Sequence, residues 1–498
     1  MEVGNFIGNT LSFSNGLRFR SLNPKNNQFN SIELVEATPE EIQKTCIIAH
    51  KAFPKFNATD PLIRAQLLLQ IAKLLQENSS ELLHWYQIES GLSEDRGKIE
   101  LQRTIQQLED FASEISIKNW KFTHLKPVTV VKGIKTPSLK KIKQGIGPVL
   151  VFGASNFPFA YSTIGGDSVA ALAAGCPVIV KSHPFHAVLS YKVAELVLNA
   201  GKLTGMPDGF FSHLNAKNHE VGKLLVLHPA IKAIGFTGSI KGGLAIRKLS
   251  LERPDEIPVF AEMGSLNPVV ILPSAITSKT DIQEISAKLA QSITQSSGQF
   301  CTKPGLIFLI ENDSTPEFIF ELTHFIQQAP TDSLLHPSIA ENYNYLRTQI
   351  EKIPTVTKAT IDSFSNNCNP GHPHLSITNT STFLHYPILH EEIFGPYCTL
   401  ICCRTFEEVI NCLTLLMGQL TVSIFSKETT SETFNQYVEL AQLKAGRVIL
   451  NGVPTGVQVH AAMQHGGPFP SSSDTRFTAV GTDSINRFTR NICLQGFE

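Results

Sequence analysis

PVLVF at 148–152, PVIVK at 177–181 and IKAIGF at 231–236 decide the fold. Each is a short apolar, β-branched run bounded by Gly or Pro, the pattern of a buried strand. Between them, STIGGDSVAALAAG at 162–175 and AVLSYKVAELVLNAG at 187–201 carry small and apolar residues at i, i+3, i+4 spacing and read as helices. Strands alternating with helices predict a parallel sheet covered on both faces, with ligands bound at the carboxyl ends of the strands.

Working outward, residues 37–119 are charged and mostly helical, with amphipathic spacing in LIRAQLLLQIAKLLQENSSELLHWY. Residues 121–144, KFTHLKPVTVVKGIKTPSLKKIKQ, are basic and rich in Pro, Thr and Val. They predict an extended ribbon that lacks a core of its own and leans on something else. A second α/β pattern runs from NPVVILP at 267–273 through a helix over DIQEISAKLAQSITQSSGQ to the strand GLIFLI at 305–310. The expected organisation is a cofactor-binding domain at 1–120 and 145–258, a catalytic domain at 259–470, and an oligomerisation element made of 121–144 and 471–498.

The chain has 498 residues, more than one ordinary core holds. Its 42 basic and 43 acidic residues leave a net charge of −1, with no electrostatic footprint for nucleic acid or an anionic membrane. No apolar run approaches the roughly 20 residues of a membrane span, and no secretory leader pattern opens the chain. A cytoplasmic protein is expected. The nine cysteines are odd in number and include no CxxC pair, which disfavours a disulfide framework and a zinc ribbon; no metal site is expected. An activated cysteine must therefore be recognised by its surroundings.

Cys301 sits in SSGQFCTKPGLIFL, where a helical segment runs into a loop before an apolar strand. Gly298 and the Pro304-Gly305 pair permit sharp turns that would present the sulfur at a loop apex; the plain alternative is a buried cysteine at a helix end. Glu262, in VFAEMGSLNPVVIL, ends an apolar strand. It is either a structural partner or a general base made stronger by apolar surroundings. Asn156, in GASNFPF at 153–159, lies at a strand carboxyl end, where its amide either caps a turn or donates to an oxyanion. FTGSIKGG at 236–243 is a strand-to-helix junction suited to phosphate oxygens, although it is not a GxGxxG motif.

The ordered set SNFPF, VIVK, FTGS, AEMGS, GQFC and EEIFGP resembles the motifs of the aldehyde dehydrogenase superfamily, from about residue 30 onward. The resemblance implies an α/β fold with a Rossmann-type cofactor domain, a second α/β catalytic domain and a small β oligomerisation element. It implies Cys301 as nucleophile, Glu262 as general base, and Asn156 with the Cys301 backbone amide as oxyanion hole. It carries Lys181 onto the adenosine ribose, Thr237, Gly238, Ser239 and Gly243 onto the pyrophosphate, and Glu392 with Phe394 onto the nicotinamide ribose. NAD-selective members place a Glu three residues after that lysine; Pro184 stands here instead, and His183 and Lys241 are candidates near a 2′-phosphate, so NADP is expected, with NAD possible.

AEMGSLNP, GQFCTKPG and the tail from HGGPFP to Arg490 resemble the 2,5-dioxopentanoate (α-ketoglutarate semialdehyde) dehydrogenase branch, with Lys303 where that branch has Asn. A small aldehyde bearing an anionic group is the implied substrate, with Lys303 and Arg476 as candidate cations for its carboxylate. The competing readings are a long-chain aldehyde dehydrogenase and a non-catalytic cofactor-binding homologue. A homodimer or homotetramer is expected.

Overall fold

The computed structural model describes residues 2–117 and 120–497. Lys118 and Asn119, at the end of the expected helical stretch, and both terminal residues lie outside the described residues.

The three strands read from sequence form at Val149–Phe152, Val178–Lys181 and Ala233–Thr237, inside a seven-stranded sheet. Its order places Val259–Glu262 at one edge, then 233–237, 149–152, 178–181 and Phe211–Leu214, with two antiparallel strands, Asn5–Ile7 and Thr10–Ser12, beyond. From 149–152 the chain moves outward in one direction to 178–181 and 211–214, then returns to 233–237 on the opposite side. The sheet therefore has a switch point between 149–152 and 233–237, where the loops leaving the strand ends diverge and open a crevice. The helix Gly166–Ala174 is buried along its whole length, which explains its small side chains.

The second sheet also has seven strands, in the order 357–358, 374–379, 397–403, 306–310, 269–271, 419–425, 445–450, all parallel except the first. The helix expected over 281–299 is shorter. It starts at Lys279 behind a Ser278 and Asp281 capping box and ends at Thr294. Ser296, Ser297 and Gly298 follow with φ of 51°, 54° and 62°, left-handed backbone that no α-helix continues through.

Residues 121–144 form an antiparallel ribbon whose strand Leu139–Gly145 pairs on one side with Phe122–Lys126 and on the other with Thr489–Gln495. The support that the ribbon's lack of a core demanded is the late strand of its own chain. Leu125, Val130, Val131 and Ile134 remain exposed on it. This apolar surface is the reason to propose the ribbon as a subunit contact, which a mass measurement in solution decides. Among the described residues, no helix is long and apolar enough to cross a membrane.

Candidate active site

The loop that carries Cys301 is built by constraint from several directions. After the left-handed turn at 296–298, a Cβ on Gly298 would lie 2.4 Å from the carbonyl oxygen of Gly395, so only glycine lets this loop press against the 392–396 segment. Arg96 Nη1 donates to Ser296 Oγ at 2.8 Å. The buried Asn267 amide donates to the carbonyls of Cys301 at 2.8 Å and Lys303 at 3.0 Å, fixing the loop from beneath.

From the other side, Asn156 Nδ2 donates to Gln299 O at 3.1 Å, two residues before the thiol. The loop that carries Asn156 hangs on a buried carboxylate: Glu100 accepts from the amides of Phe159 at 2.8 Å and Ala160 at 3.0 Å and from Tyr86 Oη at 2.9 Å. His186 bonds Ala154 O at 2.8 Å.

Glu262 ends its strand 4% exposed, and the parallel register sets it beside Thr237. Its own backbone carbonyl accepts from Gly238 N at 3.1 Å, tying the catalytic strand to the phosphate loop. Residues 471–473 run antiparallel along this edge: Met263 N donates to Ser471 O at 2.8 Å, and Ser473 Oγ to the carbonyl of Val259. That return brings His465 into the centre. Its Nε2 lies 3.6 Å from Cys301 Sγ and 3.1 Å from Glu262 Oε2. Burial, and after it the carboxylates of Glu262 and Glu392, push the Cys301 thiol well above its usual range. These effects disfavour the thiolate, so a reaction through it would need a base close by.

His465 was not assigned from sequence. It sits in a loop with no periodic pattern, although it opens the quoted HGGP stretch. Arg103 and Arg447 were missed as well. Arg103 Nη2 donates to Tyr161 Oη at 3.2 Å, and Tyr161 lies 6.3 Å ring to ring from His465. Arg447 approaches Met463 Sδ at 4.0 Å and donates to Pro454 O. The Nε atoms of both arginines are buried without a hydrogen bond. A signal for Arg103 did exist: Arg96, Glu100 and Arg103 share one face of the helix Glu94–Ser116 at i, i+4, i+7, a polar stripe turned toward the interior. Beside the thiol, Phe157, Tyr161, Ala154, Ala160 and Val480 form an apolar cluster, joined by Phe300 and Met463.

The two candidate substrate cations have partners of their own in the structure. Lys303 is 2% exposed, and its Nζ donates to the carbonyls of Ile393 at 3.2 Å and Tyr397 at 2.8 Å. It braces the 392–397 loop. Arg476 is exposed and forks onto Asp474 at 2.9 and 2.6 Å, tying down its own turn.

The residues expected at a dinucleotide gather at the sheet's carboxyl edge. Lys181 ends the 178–181 strand beside Gly222, where an added Cβ would come 3.6 Å from the lysine side chain. Burial lowers its pKa to about 8, against the pull of Glu36. Thr237 and Gly238 lead into Ser239, the N-cap of the helix Ile240–Ser250, whose Oγ accepts from Gly242 N at 3.2 Å, with Gly243 in the first turn. The first amides of that helix have no intrahelical partner and suit an anion. Glu392 packs against Gly264, where a Cβ would meet its carboxylate at 2.0 Å; burial raises its pKa to about 7. Phe394 is half-buried two residues on. His183 Nδ1 accepts from Phe185 N at 3.2 Å, and burial, with His186 and Lys181 beside it, holds its pKa well below the usual range.

Comparison with known proteins agrees with this geometry. The family model described as "Aldehyde dehydrogenase family" matches residues 13–491. The chain is 36% identical to alpha-ketoglutaric semialdehyde dehydrogenase 2 of Azospirillum brasilense, over 93% of this chain and 88% of that one. It is also 36% identical to the alpha-ketoglutaric semialdehyde dehydrogenase of Acinetobacter baylyi, over 98% and 93%. Among solved structures, methylmalonate-semialdehyde dehydrogenase from Oceanimonas doudoroffii superposes with a TM-score of 0.84 at 19% identity, covering 99% of this chain and 98% of that one. With a single family model spanning nearly all of its length and two such relatives, the chain belongs to the aldehyde dehydrogenase family of nicotinamide-dependent oxidoreductases.

Proposed function

We propose that the protein oxidises 2,5-dioxopentanoate to 2-oxoglutarate through a covalent adduct on Cys301. The observation that carries the reading is the convergence of Cys301 Sγ, His465 Nε2 and a Glu262 oxygen within 4.8 Å of one another, beside the Asn156 amide. Glu262 takes the thiol proton, with His465 in reach of both groups. The thiolate attacks the aldehyde carbon, and the resulting oxyanion is received by Asn156 Nδ2 and the Cys301 amide. A nicotinamide dinucleotide, which Lys181, the 237–243 loop and Glu392 would hold, would accept the hydride from the adduct carbon and so leave a thioester on Cys301. Glu262, having passed the thiol proton to solvent, then deprotonates the water that cleaves the thioester; the acid leaves and the departing thiolate takes the proton back from Glu262.

The names of the two 36% identical relatives support the choice of substrate. So does charge. The cluster beside the thiol is apolar, as a long-chain aldehyde would want, but Arg103 and Arg447 flank it, and each acts electrostatically on Cys301 or is acted on by it. Two half-buried guanidiniums suit a substrate carboxylate, which could not enter such a site unpaired. Arg447→Met is therefore expected to lower kcat/KM for 2,5-dioxopentanoate about 10–100-fold, the weight of one charged hydrogen bond, and to leave pentanal unchanged. An equal loss on both substrates would remove Arg447 from carboxylate recognition. Decanal used as well as the oxo-acid by the unaltered enzyme would favour the long-chain reading.

We further propose that NADP is used at least as efficiently as NAD. Pro184, at the start of the short 184–186 helical turn, leaves no carboxylate at the position where NAD-selective relatives carry one. Pro184→Glu should shift the kcat/KM ratio toward NAD by about 10-fold or more through repulsion of the 2′-phosphate. A tenfold preference for NAD before substitution would refute the assignment.

A further inference from the structure

The donors at the centre of the site have a second chemistry. Thiolate, imidazole and carboxylate together are a ligand set for zinc rather than for magnesium or calcium. The separations fit: 3.6 Å from Cys301 Sγ to His465 Nε2, 3.1 Å from His465 Nε2 to Glu262 Oε2, and no pair beyond 4.8 Å. Tetrahedral zinc, with bonds of about 2.0–2.3 Å, holds its ligand atoms roughly 3.3–3.8 Å apart. The separation of Sγ from Nε2 lies within that range and that of Nε2 from Oε2 just below it.

A separate observation also points to a ligand. Glu262 is 4% exposed, and His465 Nε2 lies 3.1 Å from its Oε2 while Oε1 has no hydrogen bond. A buried carboxylate oxygen left bare has lost water and gained nothing in return. Charge gives the third argument. Were the thiol ionised beside Glu262, the two anions would repel each other in a dry site, and a dication between them would neutralise both. Among the described residues this is the one group of three such side chains close enough for a metal ion.

We propose that Glu262, Cys301 and His465 form a zinc site, and that Zn²⁺ bound there holds the enzyme in a reversible inactive state. Zinc replaces the thiol proton: the S–H bond breaks, an S–Zn bond forms, one proton leaves to solvent, and nothing is oxidised or reduced. Three protein ligands leave the fourth position to water. The inactivation rests on the reading of Cys301 as nucleophile; the binding does not.

The test uses the full chain stripped with a chelator. Zinc affinity is measured by competition with a chromophoric chelator, and alkylation of Cys301 by iodoacetamide is followed by peptide mass spectrometry with and without zinc. One zinc per chain is expected, with no response to Mg²⁺, and alkylation of Cys301 should slow at least about 10-fold and recover with EDTA. His465→Ala and Glu262→Gln should each weaken zinc binding by about 10–100-fold or more, with unchanged melting temperature showing that they fold. Unchanged affinity in both variants, or unchanged alkylation at saturating zinc, overturns the proposal. A metal-free chain that binds zinc at Cys301 yet oxidises no aldehyde would overturn the nucleophile assignment and leave the metal site standing.

Discussion

Cys301→Ser is expected to abolish aldehyde oxidation, by more than about 10³-fold in kcat, while dinucleotide affinity stays nearly unchanged. The sulfur already stands where burial and two carboxylates oppose its ionisation. A hydroxyl, with a far higher pKa than a thiol, would ionise there still less. The residues assigned to the dinucleotide, Lys181 and Thr237 to Gly243, sit on or follow strands of the first sheet and do not touch the sulfur through any hydrogen bond described. Steady-state production of reduced cofactor, followed at its near-ultraviolet absorbance, with dinucleotide binding measured by fluorescence, checks both halves. More than a tenth of the original turnover in the serine variant would show that another group performs the attack.

The second large effect is expected from Glu262→Gln, which keeps the shape and removes the base. General-base catalysis contributes about 10²–10⁴-fold, and the loss should fall on thiol deprotonation as well as on thioester hydrolysis. A slowed burst of reduced cofactor followed by a still slower steady state is the expected trace. The pH dependence separates this from simple misplacement. Without the Glu262 carboxylate, the attacking thiolate must come more from free ionisation of a thiol that burial, and after it Glu392, keeps above its usual range. Below that pKa the thiolate fraction grows about tenfold per pH unit, so the burst rate of the variant should climb through the alkaline range. A burst rate independent of pH would contradict the role given to Glu262.

How much of this could be read from the chain depends on how far apart the interacting residues lie. The strands at 149–152, 178–181 and 233–237 were legible because period and flanking Gly or Pro are local, and so was the parallel arrangement that follows from alternation. Cys301, Glu262 and Asn156 could be named as candidates because each stands at a strand or helix terminus with a distinctive neighbourhood. Their surroundings could not. His465 reaches Cys301 across 164 residues, and nothing in HGGP announces that contact. The end of the 279–294 helix was misread because serine tolerates helix, and its left-handed conformation at 296 and 297 is imposed by what packs around the loop. The surroundings of Lys303 were hidden for a similar reason. A lysine beside a nucleophile reads as solvent-facing or substrate-facing until the carbonyls of Ile393 and Tyr397 are seen around it.

The edge on which Glu262 sits is closed by residues 471–473, and the ribbon by 489–495. Both belong to the late-synthesised end of the chain, as does His465. During translation, the first sheet has all its parallel strands once residue 262 has emerged, but its catalytic edge must wait, unpaired, until some two hundred more residues have followed: the Ser473 to Val259 bond spans 214 positions. Pairing across such separations is slow, and an open strand edge in the meantime is a site for wrong partners. A nascent chain arrested before residue 465 would lack both the segment that closes the Glu262 edge and the imidazole beside Cys301.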